Sequence, residues 1–461
     1  MNKMLTILRE AFSNEEKDFT KIKMTKAIAL LAIPMILEML MEALFAVVDV
    51  FFVAKVSTNA VATVGLTETV AMLIYSISIG ISMAATALVA RRIGEKNKEG
   101  ASRVAEQVIL LGIICGVTIG ISGFIFAGEI LAIMGGSPEL ISEGIGYTRI
   151  LLGSNIVIIL LFLLNGIFRG AGNAFLAMQS LWLANILNII LDPILIFGLG
   201  PIPAMGLEGA AIATMIGRGI GVLFQLYLLI GKSGIIKITS AILKWNAVLL
   251  KKIISLSTGT IAQYIIATAS WIFLVRILAE YGEEVVAGYT IAIRIVIFTI
   301  LPSWGMANAA ATLVGQNLGA NLPDRAEQAG WDISKYNMYF LLIVSVIYFI
   351  FAPQLMRFFT TDPAIIDAGI HCLRIISVGY VFFSYGMVLT QAFNGAGDTR
   401  TPTFMNLICF WLIEIPLAYT LALIFNWGPT GVYISIFVSE TSLAFLSIYL
   451  FRKGNWKLKK I

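Results

Sequence analysis

From Lys26 to Val56 the chain reads KAIALLAIPMILEMLMEALFAVVDVFFVAKV, with hardly a polar position between the flanking lysines. A run of this length crosses a ~30 Å hydrocarbon core as a helix. Runs of the same kind recur along the whole chain, near residues 27–54, 58–90, 104–128, 140–168, 174–200, 206–231, 252–281, 284–315, 334–353, 365–393, 402–425 and 430–451. They are apolar on all sides, without the period-2 alternation of a half-buried strand. The pattern predicts an all-α integral membrane protein of twelve transmembrane helices. Several runs exceed what one crossing needs, which predicts tilted or kinked helices.

Composition agrees with this pattern. Of 461 residues, 59% are hydrophobic and 13% charged, against roughly 25% charged in soluble chains. The basic residues lie between the spans, so the net charge of +5 does not point to nucleic acid. Counting lysines and arginines by loop puts both termini in the cytoplasm of a multi-pass plasma-membrane protein, and only Lys55 and Arg357 fall in outer loops. The first residues carry no signal-peptide core. Cys115, Cys372 and Cys409 sit singly in apolar spans, and His371 is the one histidine. No disulfide framework, zinc site or nucleophile–base motif follows, which predicts a protein that is not an enzyme and holds no cofactor.

The two halves superimpose at a constant offset of 225 residues. Ala62 matches Ala287, Leu88-Val89 matches Leu313-Val314, Gly94 matches Gly319, Pro138 matches Pro363, Arg149 matches Arg374, and Gly170-Ala171-Gly172 matches Gly395-Ala396-Gly397. Six spans per repeat give both halves the same orientation, so the lobes are expected to be related by a pseudo-two-fold axis along the membrane normal. The expected organisation is a cytosolic segment (1–25), an N-lobe (26–231), a partly helical cytoplasmic linker (232–251), a C-lobe (252–451) and a basic cytosolic tail (452–461). Two lobes around a cleft suit alternating access. A channel or receptor on such repeats is the weaker reading.

Carboxylates inside spans are costly and mark function by default. Asp49 lies ~34 Å along its helix from Lys26, and Asp192 ~27 Å along its own from Ala174, so both fall in the outer half of the bilayer. Asn188 stacks on Asp192 one turn away. Pro193 removes a helix hydrogen bond and frees the Ile189 carbonyl. Asn, Asp, a proline break and a second Asp suit a small hard cation such as Na⁺, or a proton shared by two close carboxylates. Thr214 offers a further oxygen, and neutralising the acids lets the first span bend near Pro34 or repack. Glu38 and Glu42 are read as solvated acids of a cleft, and Asp192 has Arg218 or Arg149 as a structural alternative. The repeat mates are uncharged: Leu274 for Asp49, Leu417 for Asp192 and Gln263 for Glu38. Ion chemistry is therefore expected mainly in the N-lobe.

The Pro34-containing span ending in Asp49, the loop RRIGEKNKEGA with its mate LVGQNLGANLPDRA, RGAGNA with NGAGDTRTP, and NIILDPILIFG together resemble the multidrug and toxic compound extrusion (MATE) family over nearly the whole chain. The concentration of acids in the first half resembles its DinF-like branch. The resemblance implies roles for Asp49, Asn188 and Asp192, with Thr214 beside them, and cavity roles for Tyr147 and Asn165. It implies a monomeric antiporter that exports amphipathic, often cationic compounds in exchange for H⁺ or Na⁺. A flippase for lipids or lipid-linked oligosaccharides on the same scaffold is the alternative. That reading predicts a basic cleft, whereas the candidates here are acidic or neutral.

Overall fold

The computed structural model describes residues 2–15, 17–231, 236–238 and 244–461. Of the linker expected at 232–251, residues 232–235 and 239–243 lie outside the described residues, and its end, from Ala247, is already helical. The described chain is helical, with one isolated bridge between Leu199 and Ile202. A short helix α1 (Asn2–Ala11) precedes α2 (Met24–Val53), α3 (Thr58–Gly94), α4 (Lys98–Ile125), α5 (Ala127–Ile133), α6 (Pro138–Gly153), α7 (Asn155–Gly170), α8 (Ala174–Phe197) and α9 (Gly206–Ile230). After the linker come α10 (Ala247–Leu278), α11 (Glu283–Gly319), α12 (Pro323–Phe359), α13 (Pro363–Val378), α14 (Tyr380–Gly395), α15 (Arg400–Asn406), α16 (Ile415–Tyr419) and α17 (Pro429–Lys453).

Among the described residues ten helical stretches are long and apolar enough to cross a membrane, and the α13–α14 pair, bent by 60°, forms an eleventh. With α2, 30 residues long, they correspond to the twelve apolar runs, and the chain is a multi-pass membrane protein. The runs expected at 140–168 and 365–393 are each two helices. Ser154 interrupts the first and Gly379 the second. The runs expected at 104–128 and 334–353 begin earlier, at Lys98 and Pro323. The Asn97 side chain accepts from the Gly100 N–H (2.7 Å), so capping draws a polar turn into the helix that hydropathy alone leaves out. Helix assignment continues through both Pro34 and Pro193.

The helices form two compact units, Met1–Asp18 with Leu37–Ser257 and Phe19–Ile36 with Thr258–Ile461. The division falls inside α2, just after Pro34. At the foot of the second unit, Arg325 donates to the carbonyls of Phe19 and Ile22, which fixes the start of α2 there.

The repeat is kept in the backbone. The bounds of α3 and α11, of α6 and α13, and of α7 and α14 each differ by 225 residues. Lys96 and Asn321 take the left-handed conformation at φ 60° and 59°, and Gly172 and Gly397 at 85° and 83°. Gly170 and Gly395 lie against the carbonyl oxygens of Thr86 and Ala311, themselves a matched pair. A Cβ at either position collides with backbone, so both packings require glycine. The units differ in α8's counterpart. There the chain is α-helical over α15, π-helical over Leu407–Glu414, α-helical over α16 and π-helical again over Thr420–Ile424. Pro416 has no N–H to return to the carbonyl of Leu412, which loosens this stretch.

Candidate functional site

The site of the first unit is built on the packing of α8 against α9. A Cβ on Gly217 would come within 2.6 Å of the Ala184 carbonyl oxygen, and one on Gly221 within 3.2 Å of that of Ser180. These glycines let the two backbones approach closely, which carries Thr214 up to Asn188. With its amide oriented to satisfy both neighbours, Asn188 donates to Asp192 Oδ2 (2.9 Å) and accepts from the N–H (2.9 Å) and hydroxyl (3.0 Å) of Thr214. Asn188 and Asp192 are buried and Thr214 is half-buried. The other carboxylate oxygen, Asp192 Oδ1, has no hydrogen-bond partner.

Asp49, half-buried on α2, stands outside this hydrogen-bonded cluster but within its electrostatic reach. Its charge acts on that of Asp192, and Glu68 of α3 acts on Asp49 in turn. The buried Tyr147 of α6 feels Asp49, Glu68 and Asp192 together. Its ring belongs to an apolar cluster with Val53, Ala60, Val64, Ile196 and Ala211. Asn188, Asp192, Thr214, Asp49 and Tyr147 therefore share one neighbourhood of the first unit.

Asn165 lies elsewhere. It donates to Glu38 Oε1 (3.1 Å) and accepts from Gln225 (2.5 Å). Glu38 also pairs with Arg169 of α7 at 2.5 Å and is fully buried. One turn on, Glu42 pairs with Arg218 of α9 at 2.9 Å and accepts from Asn185 at 3.0 Å. The reading of Glu38 and Glu42 as solvated acids is corrected here, since each is neutralised by an arginine inside the unit. Asp192 pairs with neither arginine proposed for it. Arg218 is engaged by Glu42 and stacks on Phe45 (5.2 Å to the ring centre), and Arg149 stands over Phe124 (6.0 Å).

Arg169 is the residue the sequence reading missed. A signal for it existed in the repeat. The mates of Glu38 and Arg169 are Gln263 and Asn394, which exchange hydrogen bonds in both directions at 3.1 Å.

Fold and site together define a multi-pass membrane protein made of two copies of one helical unit, with an incompletely paired carboxyl buried in the first. The chain belongs to the MatE family, whose model matches it twice, over residues 34–194 and 260–420. It is 27% identical over 441 residues to the probable multidrug resistance protein NorM of Thermotoga maritima, covering 95% of this chain and 94% of that one. It is 25% identical over 438 residues to the multidrug export protein MepA of Staphylococcus aureus, covering 94% and 95%. Among solved structures it resembles a MATE protein in its bent conformation, with a TM-score of 0.88, 30% identity and coverage of 94% of this chain and 96% of that one. It also resembles a MOP superfamily transporter from Pyrococcus furiosus, with a TM-score of 0.89, 28% identity and coverage of 97% and 100%.

Proposed function

We propose that the chain is a cation-coupled exporter of amphipathic, often cationic organic compounds, with Asp192 and Asp49 as the carriers of the coupling ion. The observation that carries this reading is the orphaned Oδ1 of a buried Asp192, whose other oxygen accepts from Asn188, itself held by Thr214. The names of the relatives supply the export of drugs, and the residues of α2, α8 and α9 supply the coupling. Both charged pairs of α2, Glu38–Arg169 and Glu42–Arg218, are internally balanced. In the first unit we assign the exchangeable cation to Asp49 and Asp192, neither of which forms such a pair.

A proton suits this set better than Na⁺. The Asn188 carbonyl oxygen is already used by Thr214, so few oxygens remain to replace a metal ion's shell of six or so. A proton needs one. In the proposed cycle the ion enters from outside and neutralises the pair, α2 bends or repacks near Pro34, cargo leaves, and the units change the side to which they open. The ion drives this only by binding one state more tightly than the other.

The test is dye efflux from proteoliposomes under an imposed ΔpH or an imposed Na⁺ gradient. ΔpH alone should drive efflux, and Asp49→Asn or Asp192→Asn should abolish the dependence. Coupling that survives both substitutions rejects the site, and efflux driven only by Na⁺ rejects the proton.

A further inference from the structure

The second unit has no aspartate where the first has Asp49 and Asp192. The structure nevertheless places an acid beside the mate of Thr214. Thr214 has Ser439 as its mate, and Asn188 has Ile413. In strict register Ile413 would face Ser439. The segment Leu407–Glu414 is π-helical, with hydrogen bonds reaching five residues back instead of four, so each turn takes up an extra residue. Side chains beyond it are turned by about one position. Glu414 consequently stands where Ile413 would, and Ser439 Oγ donates to Glu414 Oε1 at 3.1 Å. The contact mirrors that of Thr214 with Asn188 at 3.0 Å.

Glu414 is 1% exposed and its Oε2 has no partner. Unlike Glu38 and Glu42, it has no arginine. The groups that act on it are Ser270 from α10 and Ser439 from α17. Glu414 in turn acts on Glu440 of α17, Cys409 of its own segment and Tyr289 of α11. The Tyr289 hydroxyl, also buried, has no partner either. No lysine or arginine is among these described neighbours. An ionised carboxyl at membrane depth is costly without a partner, and the hydroxyls and the further acid around Glu414 supply no opposite charge.

We propose that the second unit holds its own exchangeable proton, on Glu414, with Ser439 positioning the carboxyl and Glu440 as the neighbouring acid. The proposal does not need Asp49 or Asp192 to be the coupling site, so it can be tested without them. The full-length protein, its Asp49→Asn/Asp192→Asn form and each of these with Glu414→Gln are reconstituted in lipid. The protonated-carboxyl C=O band is then followed by infrared difference spectroscopy as the pH is changed. The expected result is a titrating band that persists in Asp49→Asn/Asp192→Asn and is lost when Glu414→Gln is added. Ser439→Ala and Glu414→Asp, which keep the carboxyl, should shift the band without removing it, and they serve if the glutamine variant does not fold. A protein with no titrating band once Asp49 and Asp192 are gone overturns the proposal, and so does a band unaltered by every change at Glu414 and Ser439.

Discussion

The second unit supplies the design for the most direct test of the buried ion pair. In the first unit Glu38 is fully buried, meets Arg169 at 2.5 Å and has Asn165 as its other donor. In the second, Gln263 and Asn394 fill the matched positions and hydrogen-bond reciprocally at 3.1 Å. Replacing Arg169 alone with Asn leaves a buried carboxylate with amide donors only, and breaking a buried pair in this way costs about 3–5 kcal/mol. Glu38→Gln alone removes the negative charge that Arg169 meets and should also destabilise the protein. The double change Glu38→Gln/Arg169→Asn installs the amide pair of the second unit and removes both charges. Exchanging a buried pair for a neutral one that fits is close to free, so the double variant should lie within about 1 kcal/mol of the parent, the scale of one net hydrogen bond. The assay is reversible unfolding in mixed micelles, run as a double-mutant cycle, with a coupling of several kcal/mol expected. A single Arg169→Asn within about 0.5 kcal/mol of the parent, or a double variant as unstable as the two singles added, refutes the reasoning. Efflux under ΔpH should survive the double change, because this pair is structural.

Two further outcomes follow from the same coordinates. Asn188→Ala removes the donor to Asp192 Oδ2 and leaves that oxygen unpaired, a change of about 1–3 kcal/mol at the site, and Thr214→Val removes only the hydroxyl contact. In proteoliposome efflux under ΔpH, Asn188→Ala should lose most of its coupling and Thr214→Val a smaller part, and the reverse order would be wrong for the geometry found. Gly170→Ala and Gly395→Ala each drive a methyl into a backbone carbonyl and should each cost about 1–3 kcal/mol by overpacking. A Cβ at Gly65 meets nothing within 4 Å, so Gly65→Ala should stay within about 0.5 kcal/mol; thermal unfolding in detergent compares the three.

The membrane spans were legible because hydrocarbon leaves a helix no choice of composition over about twenty residues. The repeat was legible because whole helices, caps and left-handed turns kept one spacing, as Lys96 with Asn321 and Gly172 with Gly397 show. What stayed hidden depends on helix rotation and on breaks within helices. Glu38 and Arg169 are 131 residues apart, and in an all-apolar span no polar stripe shows which way either side chain faces. The bend of 60° between α13 and α14 turns on Gly379, which reads like any other glycine of a membrane helix. The π-helical stretch left only Pro416 as a trace, so the facing of Glu414 toward Ser439 was not legible.

Each unit therefore serves as a control for the other. Leu274 and Cys372, the mates of Asp49 and Tyr147, are both fully buried in the large apolar cluster of the second unit. At the matched level the first unit gathers Asp49, Asp192, Glu68 and Tyr147 beside a smaller apolar cluster. The same backbone thus encloses dense packing in one copy and interacting acids in the other. Carboxyls lacking full partners give up burial energy that leucine would supply, and proteins accept such losses where function requires them. At Glu38 the first unit keeps its charge but balances it with Arg169, where the second unit uses two amides. The contrast separates two kinds of buried acid on one scaffold. Glu38, though one of its oxygens is also unpartnered, and Glu42 are balanced by arginines, whereas Asp192 and Glu414 each have an unpartnered oxygen and pair with no arginine, and these are the acids we propose to exchange a cation.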